Sequence, residues 1–224
     1  MLKILITRNA QENIELASEI SGLGYQCLCY PMFSWEKQDV DLSSLERFQN
    51  VIITSSIAAQ ITSDFIDKSI MAWVVGAKTS AILSQNSHIE IVGTYNNISS
   101  LERNLPNIEN RFGFIYLSGN YITQEIDNVK REIIYNTSYV SYLSSQLLDL
   151  ILEVDVIMFY SYHNANNFLN LLAAEKCLYL LRSKKIITIS KNIALLFNNI
   201  DCKLYYSVNN NNKEMLELLK CLKK

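Results

Sequence analysis

The stretch FQNVIITSS, residues 48–56, contains a β-branched apolar run that breaks into hydroxyl residues. Residues 51–53 have the composition of a buried strand, and Thr54 and Ser55 follow at its end. Apolar side chains then recur with helical spacing at Ile57, Ile61 and Phe65. The stretch therefore predicts a buried strand that leads directly into an amphipathic helix.

The same arrangement occurs again at residues 153–168, EVDVIMFYSYHNANNF. Residues 156–159 are apolar, Ser161 follows the run, and Phe168 begins the apolar face of a second helix. Two copies of one strand-to-helix unit indicate a chain built from two related α/β halves.

Bulk composition argues against several classes of protein. The 224 residues suffice for two small domains, which we expect. The net charge of -2 gives no general attraction to nucleic acid or to anionic membranes, so an anion site must be built locally. The opening MLKILITR has too short an apolar run for a signal peptide, and we expect a cytoplasmic protein with no nucleic-acid or membrane partner.

The cysteines and histidines do not indicate a metal centre. The five cysteines form no CxxC pair, and the chain has two histidines, so we expect reduced thiols and no zinc site.

Strand and helix patterns alternate along most of the chain. Residues 2–30 predict a β-α-β opening, and residues 46–130 predict a complete unit of alternating strands and helices. Within that unit, the spacing of Ile122, Ile126 and Val129 predicts a helix after Gly119. Residues 133–142 are β-rich and predict an extended crossing between units.

Small or hydroxyl residues end six of the predicted strands. They are Thr7, Ser55, Gly76, Ser118 with Gly119, Ser161 and Ser190. In a parallel sheet such ends share one edge, where helix N-termini present free N–H groups, and ligands of open α/β sheets bind there. Two such edges facing each other would form a cleft, with charge added by Arg8, Lys78 and Lys191.

That lining suits a flexible molecule with several carboxylates or phosphates. The alternative for each hydroxyl residue is a plain helix N-cap. The chain has no GxGxxG, P-loop or GxSxG motif, so neither nucleotide binding nor a serine hydrolase has a motif behind it.

The ordered series of motifs along the chain points to a family. The segments are ILITR at 4–8, Tyr30 with Pro31, VIITS at 51–55, VVGAKTSAIL at 74–83, IYLSGN at 115–120, a tyrosine near 139, VIMFYS at 156–161 and ITISKNIALL at 187–196. In order and spacing, this series resembles the uroporphyrinogen-III synthase family over essentially the whole length. No single segment is specific for the family, and the ordered series with its spacing is much more so.

The resemblance implies an α/β fold with two flavodoxin-like domains, each a parallel sheet flanked by helices, joined by a two-stranded linker. It places the first domain at 1–32 and 142–224, the second at 46–130 and the linker at 33–45 and 131–141.

The resemblance also implies a lyase that needs no cofactor and acts on a small molecule. The reaction is closure of the linear tetrapyrrole hydroxymethylbilane to uroporphyrinogen III, with loss of water and inversion of the last ring. The residues that match the family's cleft are Thr7, Ser55, Gly76, Thr79, Gly119 and Ser161. Tyr139 matches the proposed proton donor, with Tyr142 as the alternative, and Ser190 and Ile193 depart from the pattern.

A non-enzymatic function stays open beside this one. A two-lobed binder of an anionic small molecule or a flavin could use the same scaffold. For either function, a monomer is the default expectation.

Overall fold

The computed structural model describes residues 1–40, 45 and 47–222. The chain divides into two compact units, unit 1 from Met1–Ser34 and Ser138–Lys224, and unit 2 from Trp35–Thr137. Residues 41–44 of the predicted linker, residue 46 at the start of the predicted second domain, and residues 223–224 lie outside the described part.

Strands and helices alternate along most of the described residues, except within 26–53 and within 114–139. The strands are β1 (Lys3–Ile6), β2 (Gln26–Cys29), β3 (Phe33–Lys37), β4 (Asn50–Ile53), β5 (Ile70–Val75), β6 (Ile89–Tyr95), β7 (Phe114–Gly119), β8 (Lys130–Tyr139), β9 (Val156–Phe159), β10 (Lys185–Thr188) and β11 (Lys203–Tyr206). The helices are α1 (Ala10–Gly22), α2 (Ser56–Phe65), α3 (Ala77–Leu83), α4 (Ile98–Glu102), α5 (Ser145–Glu153), α6 (Tyr162–Ala174), α7 (Lys191–Ala194) and α8 (Asn212–Cys221).

Unit 1 contains a five-stranded sheet in the order β11-β10-β9-β1-β2, with every neighbouring pair parallel. Side chains on successive strand residues point to opposite faces, so Leu5 packs into one apolar cluster while Ile4 and Ile6 pack into another. Residues of α5, α6 and α7 cover the first face, and residues of α1 and α8 cover the second. Both faces are buried, which explains the continuous apolar run of β9.

Unit 2 contains a six-stranded sheet in the order β3-β8-β7-β4-β5-β6. The pairs from β8 through β6 are parallel. β3 pairs with β8 in the antiparallel sense, because the backbone amide of Val140 bonds to Met32 while that of Gln38 bonds to Ile134. These parallel sheets with flanking helices confirm the predicted α/β class.

The chain passes between the two units within β3, after Ser34, and within β8, after Thr137. Both strands lie mainly in the segments predicted as a two-stranded linker. The predicted domain boundaries stay a prediction.

The helix predicted after Gly119 is wrong, because no helix is assigned between Asn120 and Val129. The Asn120 side chain instead bonds to both the backbone N–H and the carbonyl of Thr137, at 2.8 and 3.2 Å, which fixes the chain away from a helical path. The apolar residues of the segment nevertheless reach the core, since Ile126 is buried and Ile122 and Val129 pack beside it. Their spacing thus reflects burial without a helix.

Candidate functional site

Each unit has an edge where its parallel strands end. In unit 1 this edge carries Thr7 and Arg8 after β1, Ser161 after β9, and Ser190 after β10. In unit 2 it carries Thr54 and Ser55 after β4, Gly76 after β5, and Gly119 at the end of β7. The predicted site residues therefore fall at strand ends in both units.

In unit 1, Ser161 and Ser190 are helix N-caps. The Ser161 hydroxyl accepts a hydrogen bond from the backbone amide of Asn164, and Ser190 accepts one from Ile193, both at 3.5 Å. Both serines are half-buried. Both serines thus have the N-cap role that the sequence allowed as the alternative to ligand binding. At 3.5 Å, their bonds are long for an N–H donor.

Thr7 lies fully buried and ties β1 to α6. The Asn164 amide donates to the Thr7 carbonyl at 2.7 Å and to its hydroxyl at 3.1 Å, and the Thr7 hydroxyl donates to Met158 at 3.4 Å. Asn164 was not identified from the sequence, and it is 1% exposed. In this structure the Thr7 side chain therefore holds the first turn of α6 against the sheet.

The Arg8 guanidinium is partly exposed and forms a two-pronged ion pair with Glu12, at 3.0 and 2.5 Å. Its central carbon lies 4.8 Å from the centre of the Tyr160 ring, in cation–π range. The Tyr160 hydroxyl donates to Asn212 at 2.9 Å, and burial raises the pKa of this phenol. Glu12 offsets most of the charge of Arg8, so Arg8 contributes a guanidinium group held at a fixed position of the unit 1 edge.

Lysines stand in the first turn of a short helix at each edge. Lys191 begins α7 in unit 1, and Lys78 lies in the first turn of α3 in unit 2. Both residues are exposed to solvent. They can therefore attract an anion without carrying a desolvation cost of their own.

At the unit 2 edge, Ser55 caps α2 and also bonds to a tyrosine. Its hydroxyl accepts from the backbone amide of Ala58 at 3.0 Å and lies 3.0 Å from the hydroxyl of Tyr135. Next to it, Thr54 lies 2.8 Å from the hydroxyl of Tyr116. Burial raises the pKa of the Tyr116 phenol, while the bond to Thr54 and the charge of Arg131 oppose that rise.

Gly76 and Thr79 form the turn from β5 into α3. Gly76 has φ +92°, a conformation that favours glycine, and it precedes the first residue of the helix. Thr79 is buried at 4% exposure, and a Cβ on Gly76 would lie 3.6 Å from its hydroxyl. The positive φ angle explains the glycine at position 76 by local backbone geometry.

Gly119 allows an aromatic ring to approach the backbone. It pairs with Tyr135 on the adjacent strand, and a Cβ built on Gly119 would lie 2.5 Å from the Tyr135 ring. The Tyr135 ring also packs edge-on against Trp35, with ring centres 6.1 Å apart. Gly119 therefore seats Tyr135 so that its phenol reaches Ser55.

The predicted proton donor Tyr139 is placed differently from Tyr135. Tyr139 ends β8 in unit 1 and packs against Phe33 with ring centres 5.7 Å apart. Tyr142, the alternative, is 70% exposed. Sequence reasoning missed Tyr135, whose hydroxyl lies 3.0 Å from that of the predicted site residue Ser55. The contact depends on the irregular register between β7 and β8, which a single sequence does not show.

Metal ligands and membrane-spanning helices are both lacking in the described part of the chain. No group of three or more histidine, cysteine, aspartate or glutamate side chains there could hold a metal ion. Nor is any helix within residues 1–40, 45 and 47–222 both long and apolar enough to cross a membrane.

Comparison with known proteins identifies relatives by sequence. A family model described as uroporphyrinogen-III synthase HemD matches residues 14–216. The uncharacterized protein RP474 of Rickettsia prowazekii (strain Madrid E) is 36% identical over 171 residues, which are 74% of this chain. The chain spans 60% of the length of that curated relative.

Two solved structures have a similar fold. Uroporphyrinogen-III synthetase from Helicobacter pylori 26695 superposes with a TM-score of 0.60 at 16% identity, over 99% of this chain and 100% of that one. A mutant uroporphyrinogen III synthase from the extremely thermophilic bacterium Thermus thermophilus gives 0.62 at 14% identity, over 100% of both chains. The fold matches across the whole length and the family model covers most of it: the chain belongs to the uroporphyrinogen-III synthase family.

Proposed function

We propose that the protein is a uroporphyrinogen-III synthase, a lyase of tetrapyrrole biosynthesis. It closes hydroxymethylbilane to uroporphyrinogen III, inverts ring D and releases one water molecule. The observation that carries this proposal is the family match over residues 14–216.

The chemistry of the two edges supports this substrate. Hydroxymethylbilane carries eight carboxylates, and each edge offers hydroxyl groups, helix N-termini and a few cations. Lys78 and Lys191 are exposed cations, and Arg8 adds a guanidinium group whose charge Glu12 offsets, whereas the chain as a whole has a net charge of -2. We propose that the residues at these strand ends form the carboxylate-binding groups or hold them in place. They are Thr7, Ser55, Gly76, Thr79, Gly119, Ser161 and Ser190, together with the three basic residues.

The main contribution to rate is positioning. A flexible chain of four rings can close directly, end to end, or through the route that inverts the last ring. Holding the carboxylates at several fixed points selects one folded form of the substrate and thereby one product. The protein then needs to assist the departure of the hydroxyl group, which leaves more readily as water once it receives a proton.

Two phenols are candidates for that proton transfer. Tyr139 is the residue that the family pattern indicates, and Tyr135 is the one whose hydroxyl lies 3.0 Å from Ser55. The reaction as written is a ring closure with loss of water and no net oxidation. We therefore propose that it proceeds without a redox cofactor. We further propose that it needs no metal, as the family resemblance implies, and that the protein is a cytoplasmic monomer that binds neither nucleic acid nor membranes.

The test is the isomer of the product. Purified protein is given hydroxymethylbilane, the product is oxidised to porphyrin, and the type I and type III isomers are separated. We expect type III in excess over a reaction without protein. Type I alone would refute the proposed function, and tight binding without turnover would favour the two-lobed binding module.

A further inference from the structure

The end of β7 differs from the end of β4 in the segment that comes after it. β4 leads directly into α2, a helix of 10 residues whose free backbone amides supply partial positive charge at the strand end. β7 leads into residues 120–129, which form no helix. Without one, the strand would end in exposed carbonyl oxygens, and these repel an anionic ligand.

The guanidinium group of Arg131 lies at the end of β7, where no helix follows. Arg131 Nη2 donates to the carbonyl oxygens of Gly119 and Asn120, at 2.7 and 3.0 Å. Its Nε donates to the hydroxyl of Ser118 at 2.8 Å. Three successive residues at the end of β7 are thus bound by one side chain, which is 20% exposed.

The charge of Arg131 is only partly compensated. Its Nη1 pairs with a carboxylate oxygen of Glu125 at 3.0 Å, but the Glu125 side chain is 66% exposed. Ion pairs with so exposed a partner are weak and are screened by salt. The guanidinium therefore adds net positive charge near the end of β7.

We propose that Arg131 replaces, at the end of β7, the helix N-terminus that β4 receives from α2. It binds the strand-end carbonyls and supplies the positive charge that an anionic ligand meets there. This inference rests on the proposed function, because the ligand in question is the polycarboxylate substrate of that reaction. Arg131 is a positioning residue, and Glu125 partly offsets the positive charge that Arg131 presents to the ligand.

The proposal makes opposite predictions for the two members of the ion pair. Arg131→Met removes the charge and should raise the KM for hydroxymethylbilane about fivefold at low salt. Glu125→Gln removes the opposing carboxylate and should lower that KM about twofold. High salt should reduce both differences, because the interaction is electrostatic.

A neighbouring ion pair provides the matched control. Lys130 and Glu132 flank Arg131 on the same strand and pair with each other at 3.0 Å. Their side chains point to the opposite face, since strand side chains alternate. Lys130→Met and Glu132→Gln make the same charge changes away from the strand-end carbonyls, and we expect KM to change by less than about 1.5-fold in each.

Binding of uroporphyrin III, the stable oxidised product, is titrated in parallel by fluorescence and does not depend on turnover. We expect the affinity of the four variants to follow the same order as 1/KM. If Glu125→Gln leaves both KM and affinity unchanged, or if the Lys130 and Glu132 variants match the effects of the Arg131 and Glu125 variants, the proposal is overturned. If Arg131→Met does not fold, the comparison of KM and affinity between Glu125→Gln and Glu132→Gln is sufficient to test the proposal. Failure of the proposed function would look different, since wild-type protein would then form no type III isomer.

Discussion

Gly119 matches a cleft position of the family, but its structural role is to leave space for the Tyr135 side chain. It does not adopt a positive φ angle, so backbone freedom does not explain it. The Tyr135 ring occupies the space that a Cβ would need. Contact with the Tyr135 ring therefore explains why the motif IYLSGN has a glycine at position 119.

Gly119→Ala should lower the free energy of unfolding by about 1–3 kcal/mol, because the added methyl group overlaps a buried ring. Chemical denaturation measures the change. Gly113→Ala is the matched control in the same unit, since a Cβ there meets nothing within 4 Å, and it should change stability by less than about 0.5 kcal/mol. Equal effects of the two substitutions would contradict the steric explanation.

Three tyrosine variants separate the candidates for proton transfer. If Tyr135 donates the proton, Tyr135→Phe should lower kcat about a hundredfold with little change in KM, while Tyr139→Phe and Tyr142→Phe stay near wild type. The reason is position, because the Tyr135 phenol reaches Ser55 whereas the Tyr139 ring packs on Phe33. A loss of kcat confined to Tyr139→Phe would instead support the donor that the family pattern indicates.

The sequence predicts capping residues well and side-chain partners across strands poorly. Ser55 and Ser161 each follow an apolar run and precede a helical pattern, and both are N-caps as that local order predicts. The contact of Ser55 with Tyr135 depends on the register between β7 and β8, which shifts between Ser118 and Gly119. Such an irregularity has no signature in a single sequence.

At the scale of elements, residues 120–129 are the main difference between prediction and structure. Their apolar residues at helical spacing predict a helix, but the segment covers one face of the unit 2 sheet in an irregular path. Long-range bonds from Asn120 and Arg131 outweigh the weak helical preference of the segment. Such bonds join residues that the sequence does not show to be neighbours.

Hydrogen bonds to Glu214 at the start of α8 should make the stability of the protein depend on pH in the acid range. Glu214 accepts hydrogen bonds from the backbone amide of Asn209, from the hydroxyl of Ser207 and from the backbone amide of Val208, at 3.0, 2.6 and 2.8 Å. These bonds favour the ionised form and lower the pKa of Glu214 from 4.5 to about 2. Because the folded pKa is depressed, the stabilisation is present above pH 4.5 and is lost as pH falls towards 2.

Glu214→Gln should therefore be less stable than wild type at neutral pH, and the gap should close as pH falls below 4.5. Denaturation midpoints measured across this range check it. Glu217→Gln on the same helix is the control, because Glu217 pairs with the exposed Lys220 on the helix surface, at 2.7 Å. A gap of constant size at every pH would show that the carboxylate charge does not matter.

At the scale of the whole molecule, the repeated strand-to-helix pattern predicted the α/β class correctly. This pattern is local, and parallel sheets follow from it because crossover helices join parallel strands. The prediction of a discontinuous first domain, at 1–32 and 142–224, came from the family resemblance and not from local pattern. In the structure, unit 1 combines Met1–Ser34 with Ser138–Lys224. Hydrogen-bond partners 151 to 157 residues apart, such as Thr7 with Met158 and with Asn164, hold that unit together.

We propose that this chain holds its polycarboxylate substrate in the conformation that leads to inversion of the last ring. The most direct measurement is the ratio of type III to type I porphyrin formed from hydroxymethylbilane, followed as the protein concentration is raised from zero. We predict that the ratio rises with protein until type III dominates. A ratio that stays at its protein-free value at every concentration would contradict the account.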